Sequence, residues 1–358
     1  MKNEAAIIET AGAPVLVEEV GGNLPAVVEG ASNALAVQPD YESLVTAWIE
    51  FLKEGSGVTS AQSERTYRGA IRQLHKYFSE HGVNIINATK ADIKDWLTHL
   101  KASKKADSTV QMYLVAVRLF YAFLTAEGFI TQNPCKVGGE NLKAGVKIDR
   151  DKHKRDYLSV ERAQELMAAM PATNVMQLRD RAVVGLMITT GLRCCSVQKA
   201  LYEDLRTAGD SDVLYFQGKG HTSKDSYVKV SPAVAQMIRD YLKARFNGAE
   251  PKGRDYLFVS TSRNHVAKYD STDELSTQAI RAIVKKAMKA IGFDDSRHTA
   301  HSLRHTAATL MLRSGEPLEN VRNVLDHKNV QTTLIYAKAL EREKNNAELA
   351  VSNLIFGK

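Results

Sequence analysis

Between residues 40 and 131, apolar side chains return at the period of a helix in four successive runs. Leu44, Trp48 and Leu52 share one face of 41–53, and a Gly-Ser-Gly turn follows. Tyr67, Ile71, Leu74 and Phe78 point one way along 60–81. Thr89 caps a run through Leu100. Asp107-Ser108 opens the last run, where Val110, Leu114, Val117, Leu119, Phe120 and Phe123 form a wide apolar surface. Gly128 ends it and Asn133-Pro134 closes the unit. Four such helices predict a small bundle over 39–135.

The second half changes period. Helical patterns cover 158–170, opened by Ser159, and a stretch from about Asn174 to Thr190 that stops at Gly191-Leu192-Arg193. Alternation at 213–216 and 227–230, joined by QGKGHTSKDS, predicts a β-hairpin with a Gly-rich, basic loop. A helix over 232–246, a strand at 256–259 paired with that hairpin, and a basic amphipathic helix over 274–291 follow. From 300, Leu303, Ala307, Leu310 and Met311 make an apolar stripe that Ser314-Gly315 terminates. Pro317 starts the next helix, which carries Val321, Val324 and Leu325 inward and ends at Asp326-His327. A short segment then delivers Tyr336. The expected fold is mainly α with a small antiparallel β-sheet: a helical bundle followed by an α+β domain over 158–340. Residues 1–38 lack a firm period and are expected to be disordered or peripheral, 136–157 reads as a polar, basic linker, and 341–358 as a C-terminal tail.

Charge sharpens this picture. The 358 residues carry a net charge of +7, unevenly placed. Residues 1–40 hold one basic residue, Lys2, and six acidic ones, so the remainder has 47 basic against 35 acidic residues. A basic body beside an acidic leader suits a polyanionic partner. On 60–81 the residues Arg65, Arg68, Arg72 and Lys76 spread over the polar side, the last three four apart. Such a stripe is either a solvated face or a grip on phosphates. Arg150, Lys152, Lys154 and Arg155 in the linker, Lys224 in the hairpin loop, and Arg281 and Lys285 on 274–291 are further candidates for a nucleic-acid backbone. Three cysteines, Cys135, Cys194 and Cys195, fit neither a disulfide framework nor zinc spacing, so no metal is expected and a reducing compartment is. No apolar run of membrane-spanning length and no signal-peptide start are read, so the expected location is cytoplasmic, without membrane.

The densest chemistry lies in 300–336, where His301, Arg304, His305, His327 and Tyr336 fall within 37 residues. His301 and Arg304 are three apart and share a helix face. Arg grips phosphate oxygens bidentately and stays charged, His moves protons near neutrality, and Tyr is a nucleophile able to hold a phosphate covalently. The set suits phosphoryl transfer.

H-S-L-R-H-T-A-A-T, then L-D-H, then T-T-L-I-Y resembles the C-terminal signature of the tyrosine recombinases, the phage-integrase family, whose pattern is H-x-L-R-H-T, L-G-H and T-x-x-Y. Tyr336 follows His327 by nine residues, as the family's nucleophile follows its second His. T-T-G-L-R resembles the family's first catalytic box and makes Arg193 its arginine. The bundle with G-F-I-T-Q-N-P after its final helix resembles the SAM-like core-binding domain. The likeness covers roughly 40–340. Two departures stand out: Asp326 where the family usually has Gly, taken as a small change, and Ser196 where Glu or Asp is common. The family's general-acid Lys lies in the hairpin, where Lys219 matches better and Lys224 is the alternative.

The resemblance implies a site-specific recombinase that cuts and rejoins double-stranded DNA at paired recombination sites through a 3′-phosphotyrosyl link and a Holliday junction, with no cofactor. Arg193 and Arg304 would hold the phosphate, Lys219 would protonate the leaving oxygen, His301 would assist Tyr336, and His327 would bond a phosphate oxygen. His305 is expected to face elsewhere. The implied setting is a mobile element in the bacterial cytoplasm, nucleoid-associated, with a homotetramer on DNA and possible accessory DNA-bending or directionality factors. The tail packs on a neighbouring subunit or folds back in cis. A type IB topoisomerase, a catalytically silent DNA-binding regulator of the same fold and a helical interaction module are the competing readings.

Overall fold

The computed structural model describes residues 7–10, 13–16, 40–55, 60–146, 156–218, 221, 223–260, 273–327 and 329–357. The chain forms two compact units, Met1–Asp149 and Arg150–Lys358.

In the first unit, β1 (Ile7–Thr10) and β2 (Ala13–Leu16) pair antiparallel, with Ile7 opposite Leu16, inside a stretch expected to lack regular structure. The bundle is α1 (Tyr41–Gly55), α2 (Ala61–Glu80), α3 (Lys90–Ala102) and α4 (Asp107–Ala126). Ser60 caps α2 by accepting from the Ser63 amide. Thr89 and Asp92 form a reciprocal capping box on α3. The apolar faces meet around Trp48, Phe78, Trp96, Phe120 and Tyr121, with Trp48 and Phe120 edge to face at 5.3 Å. By length and composition α4 is apolar enough to cross a membrane, yet Val110, Leu114, Phe120 and Leu124 are fully buried in the bundle core.

The predicted linker starts later than expected. A short hairpin, β3 (Lys136–Val137) with β4 (Glu140–Asn141), follows the bundle, and Leu142 and Ala144 bury in the same core as Cys135. A two-residue strand has no readable period, and the isolated Leu142 and Ala144 among polar and glycine residues did not signal burial. Arg150, Lys152, Lys154 and Arg155 lie outside the described residues.

The second unit begins with α5 (Val160–Ala168) and α6 (Val175–Thr190), capped by Ser159 and Asn174. Helix α6 is buried around much of its circumference, through Ala182, Val183, Val184, Leu186 and Met187, and so forms the centre of this unit. Then come α7 (Cys194–Gln198), β5 (Leu205–Ala208), β6 (Ser211–Phe216), β7 (Ser226–Val230) and α8 (Pro232–Arg245). The strands form one antiparallel sheet in the order β5-β6-β7, with Leu205 opposite Leu214 and Tyr215 opposite Tyr227. The strand expected at 256–259 is not part of it. Leu257 and Phe258 are both buried, and the segment makes only isolated bridges, Leu201 with Tyr256 and Val259 with Glu274. The third strand is instead β5, an exposed edge whose sequence LRTA has no apolar alternation to reveal it.

The unit ends with α9 (Thr277–Ala290), α10 (Ala300–Arg313), α11 (Leu318–Val324), α12 (Gln331–Lys344) and α13 (Ala347–Phe356). On α13 the side chains of Leu349, Leu354, Ile355 and Phe356 are exposed, Leu354 at 87%.

Candidate active site

Two sharp turns create the site. Gly191 ends α6 in the left-handed conformation, φ +70°, and a Cβ there would overlap Leu325 and press Ala307. Asp326 ends the α11 segment, also left-handed at φ +51°, a region that non-glycine residues other than Asn and Asp rarely visit. The carbonyls freed by these turns hold two guanidiniums. Arg304, on α10 and 3% exposed, donates to Gly191 O at 2.7 Å and to Leu325 O. Arg193, at the start of α7, donates to Asp326 O at 3.4 Å, and its Nη1 lies 3.6 Å from the Asp326 carboxylate. Burial and the neighbouring Arg193 charge push the Arg304 pKa down to about 9, which still leaves it a cation at neutral pH.

The segment that delivers Tyr336 is helical: it is the start of α12. Thr333 and Tyr336, three apart, both turn inward, a helical spacing that QTTLIY did carry. Tyr336 is 4% exposed and packs with Ala308, Val321 and Leu325. Burial raises its pKa to about 12, against the pull of Arg304 and Arg193. The phenol is therefore protonated at neutral pH and must lose its proton as it reacts.

His327 pairs through Nδ1 with Thr333 Oγ1 at 2.9 Å. Burial first, then the charges of Arg304 and Arg193, lower its pKa to about 3, so it is neutral. His305 does not face elsewhere. Its ring stands 4.5 Å from that of His301 and 5.2 Å from that of Tyr336, forming a row of three rings. The spacing of four between His301 and His305 placed them on one helix face, a signal present in the sequence. Arg193, Arg304, His327 and Tyr336 thus act on one another electrostatically, and His301 joins them through its effect on His327. Sequence reasoning missed Thr333 as the partner of His327, and Asp326 as the partner of Arg193.

Other expected residues fall less neatly. Lys219 lies outside the described residues. Lys224, the alternative, is tied to the buried Asp204 carboxylate and to Lys199 O at 3.0 Å. Ser196 is buried and donates to Gln217 O at 3.3 Å. In the bundle, Arg65 and Arg72 are exposed, whereas Arg68 pairs with Glu64 at 3.0 Å and Lys76 lies 3.9 Å from Glu80. On α9, Arg281 is exposed, whereas Lys285 donates to Asp295 O and lies 3.7 Å from Asp294.

A buried Arg304, a partly exposed Arg193, three imidazoles and a buried phenol are gathered around these two turns, a set of groups whose chemistry suits phosphoryl transfer. Comparison with known proteins agrees. The Phage integrase family matches residues 156–343, and the phage integrase N-terminal SAM-like domain matches residues 41–128. Tyrosine recombinase XerD of Lacticaseibacillus casei is 31% identical over 296 residues, 82% of this chain and 92% of the relative. The fold is shared with XerH recombinase bound to palindromic difH, at TM-score 0.63 and 16% identity, over 86% of this chain and 83% of that one. It is also shared with a lambda integrase tetramer bound to a Holliday junction, at TM-score 0.59 and 17% identity, over 82% and 76%. The chain belongs to the phage integrase family, the tyrosine recombinases. It is a site-specific DNA recombinase with a SAM-like N-terminal domain and a catalytic domain.

Proposed function

We propose that the protein exchanges DNA strands through a 3′-phosphotyrosyl intermediate on Tyr336. The observation that carries this reading is the Tyr336 phenol buried within the fields of Arg193 and Arg304, beside His305. The Tyr336 oxygen bonds to the scissile phosphorus and the bond from phosphorus to the 5′ oxygen breaks. Arg193 and Arg304 bind the non-bridging oxygens and stabilise the added negative charge. The phenol proton passes toward His301, and Lys219 protonates the departing 5′ oxygen. Neutral His327, oriented by Thr333, hydrogen-bonds a phosphate oxygen through its remaining nitrogen. The phosphodiester energy is kept in the new link, so a second 5′ hydroxyl reverses the step with no outside energy source.

Two such exchanges at paired sites produce and resolve a Holliday junction. A tetramer on DNA fits this reading: one structural neighbour is a tetramer on such a junction, and the exposed apolar side chains of α13 suit packing on a neighbouring subunit. Arg65 and Arg72 on α2 and Arg281 on α9 suit phosphate contacts. A mobile element in a bacterial cytoplasm, with accessory DNA-bending proteins, is the proposed setting.

The test uses nicked duplexes from DNA flanking the gene, incubated with wild type or Tyr336→Phe in EDTA and run on denaturing gels. A slow protein–DNA band from wild type alone is expected, with Tyr336→Phe binding the same fragment as tightly. Adduct formation by Tyr336→Phe would refute the nucleophile. Specific binding without any adduct would move the chain to the silent DNA-binding regulators.

A further inference from the structure

We infer that Asp326 is a positioning residue, holding Arg193 with its carboxylate and tying the start of the β6–β7 connection to the phosphate-binding arginines. The carboxylate reaches three groups from a single left-handed residue. Oδ2 lies 3.6 Å from Arg193 Nη1, and Oδ1 lies 3.9 Å from His221 Nε2. Its face rests on Gly218, where an added Cβ would overlap Oδ2 and come within 3.1 Å of Cγ. The backbone carbonyl of Asp326 takes a second bond from the same guanidinium.

This placement is demanding. At φ +51° a glycine would be at ease, and aspartate is accommodated only because Gly218 vacates the space its carboxylate needs. The side chain is 14% exposed, and the Arg193 side chain is 25% exposed, so the pair is partly shielded from water and keeps more of its attraction than a surface pair. The same carboxylate also acts on Arg304. Ser196 reaches Gln217 O, the residue before Gly218. The connection is therefore held from α7 by a neutral hydroxyl and from the α11–α12 turn by a charged group. A guanidinium with one edge fixed presents its remaining donors in a set direction, as bidentate binding of phosphate requires.

The kinetic arm of the test rests on the strand-transfer reading; a chemical arm does not. Full-length wild type, Asp326→Asn and Asp326→Gly are compared for adduct formation on the nicked duplex, affinity for the same duplex, melting temperature, and labelling of Arg193 by phenylglyoxal mapped by mass spectrometry. Both variants should form adduct about tenfold to a hundredfold more slowly, while duplex affinity holds. Asp326→Gly relieves a left-handed residue but removes the carboxylate beside two guanidiniums, so adduct rates are compared per folded molecule, with the melting temperature giving the folded fraction of each variant. Arg193 should be labelled faster in both. Wild-type labelling of Arg193 in both variants, or adduct formation as fast as wild type, would overturn the proposal. If wild type forms no adduct while Arg193 labelling still depends on Asp326, the strand-transfer reading has failed and the positioning role stands.

Discussion

In the first unit, Trp48, Phe78, Trp96 and Phe120 meet in a core whose fully buried members, among the described residues, are apolar or aromatic. In the second, Arg179, Asp204, His298, Arg304, His305 and His327 are each 9% exposed or less. Burying a charged or polar group costs free energy unless it is hydrogen-bonded or paired, so a domain selected for stability alone would shed such groups. The second unit keeps them and supplies their partners: Val259 O for Arg179, Gly191 O for Arg304, Thr333 for His327. One interior is filled by apolar packing; the other also buries polar and ionisable groups. Arg304 makes the point most clearly, since the carbonyls that fix it come from two helix-ending turns that each contain a left-handed residue, Gly191 and Asp326.

This contrast predicts different failures. The largest effect is expected in the bundle. Trp96 is fully buried, and Trp96→Ala should destabilise the protein by about 3–5 kcal/mol in chemical denaturation. Adduct formation per folded molecule should stay near wild type; a large drop in it would break the division between a structural and a chemical interior.

A smaller effect concerns acid. The His327 pKa is lowered in the folded state to about 3, so the unfolded chain binds that proton more readily than the native one. The neutral His327 therefore costs nothing above about pH 6.5, and wild type loses stability as pH falls from there toward 3. His327→Gln removes this component. Its stability relative to wild type should improve steadily between pH 7 and pH 4, by an amount on the order of a few kcal/mol at the acid end. A constant difference between the two proteins across that range would remove His327 from the acid response.

The smallest effects belong to the surface. Arg72→Ala should weaken DNA binding evenly across sequences and reduce the salt slope of log affinity by about one. Arg68→Ala should do less, because Glu64 already holds that guanidinium at 3.0 Å. Equal losses from both would show that the ion pair opens freely on DNA.

Much of this was legible in the chain. The four bundle helices followed from period and caps, because their cores are regular apolar stripes. The grouping of polar side chains was legible too, through the spacing of His301, Arg304, His327 and Tyr336. Other features were not, and each for its own reason. The edge strand β5 lacks alternation because most of it is exposed. The hairpin at 136–141 is too short to carry a period. Asp326 looked like a minor departure from a glycine pattern, whereas its carboxylate faces Arg193, His221 and the bare Cα of Gly218.

The sequence by itself determined which elements form and which reactive side chains they carry, because period, caps and turn residues act over a few neighbours. Only the tertiary structure decided how those side chains are held. Arg304 reaches back 113 residues to Gly191 O, and Arg193 reaches forward 133 to Asp326. Such pairs depend on where two turns meet after the apolar core around α6 has closed, and a contact between distant buried polar groups has no periodicity from which to be read.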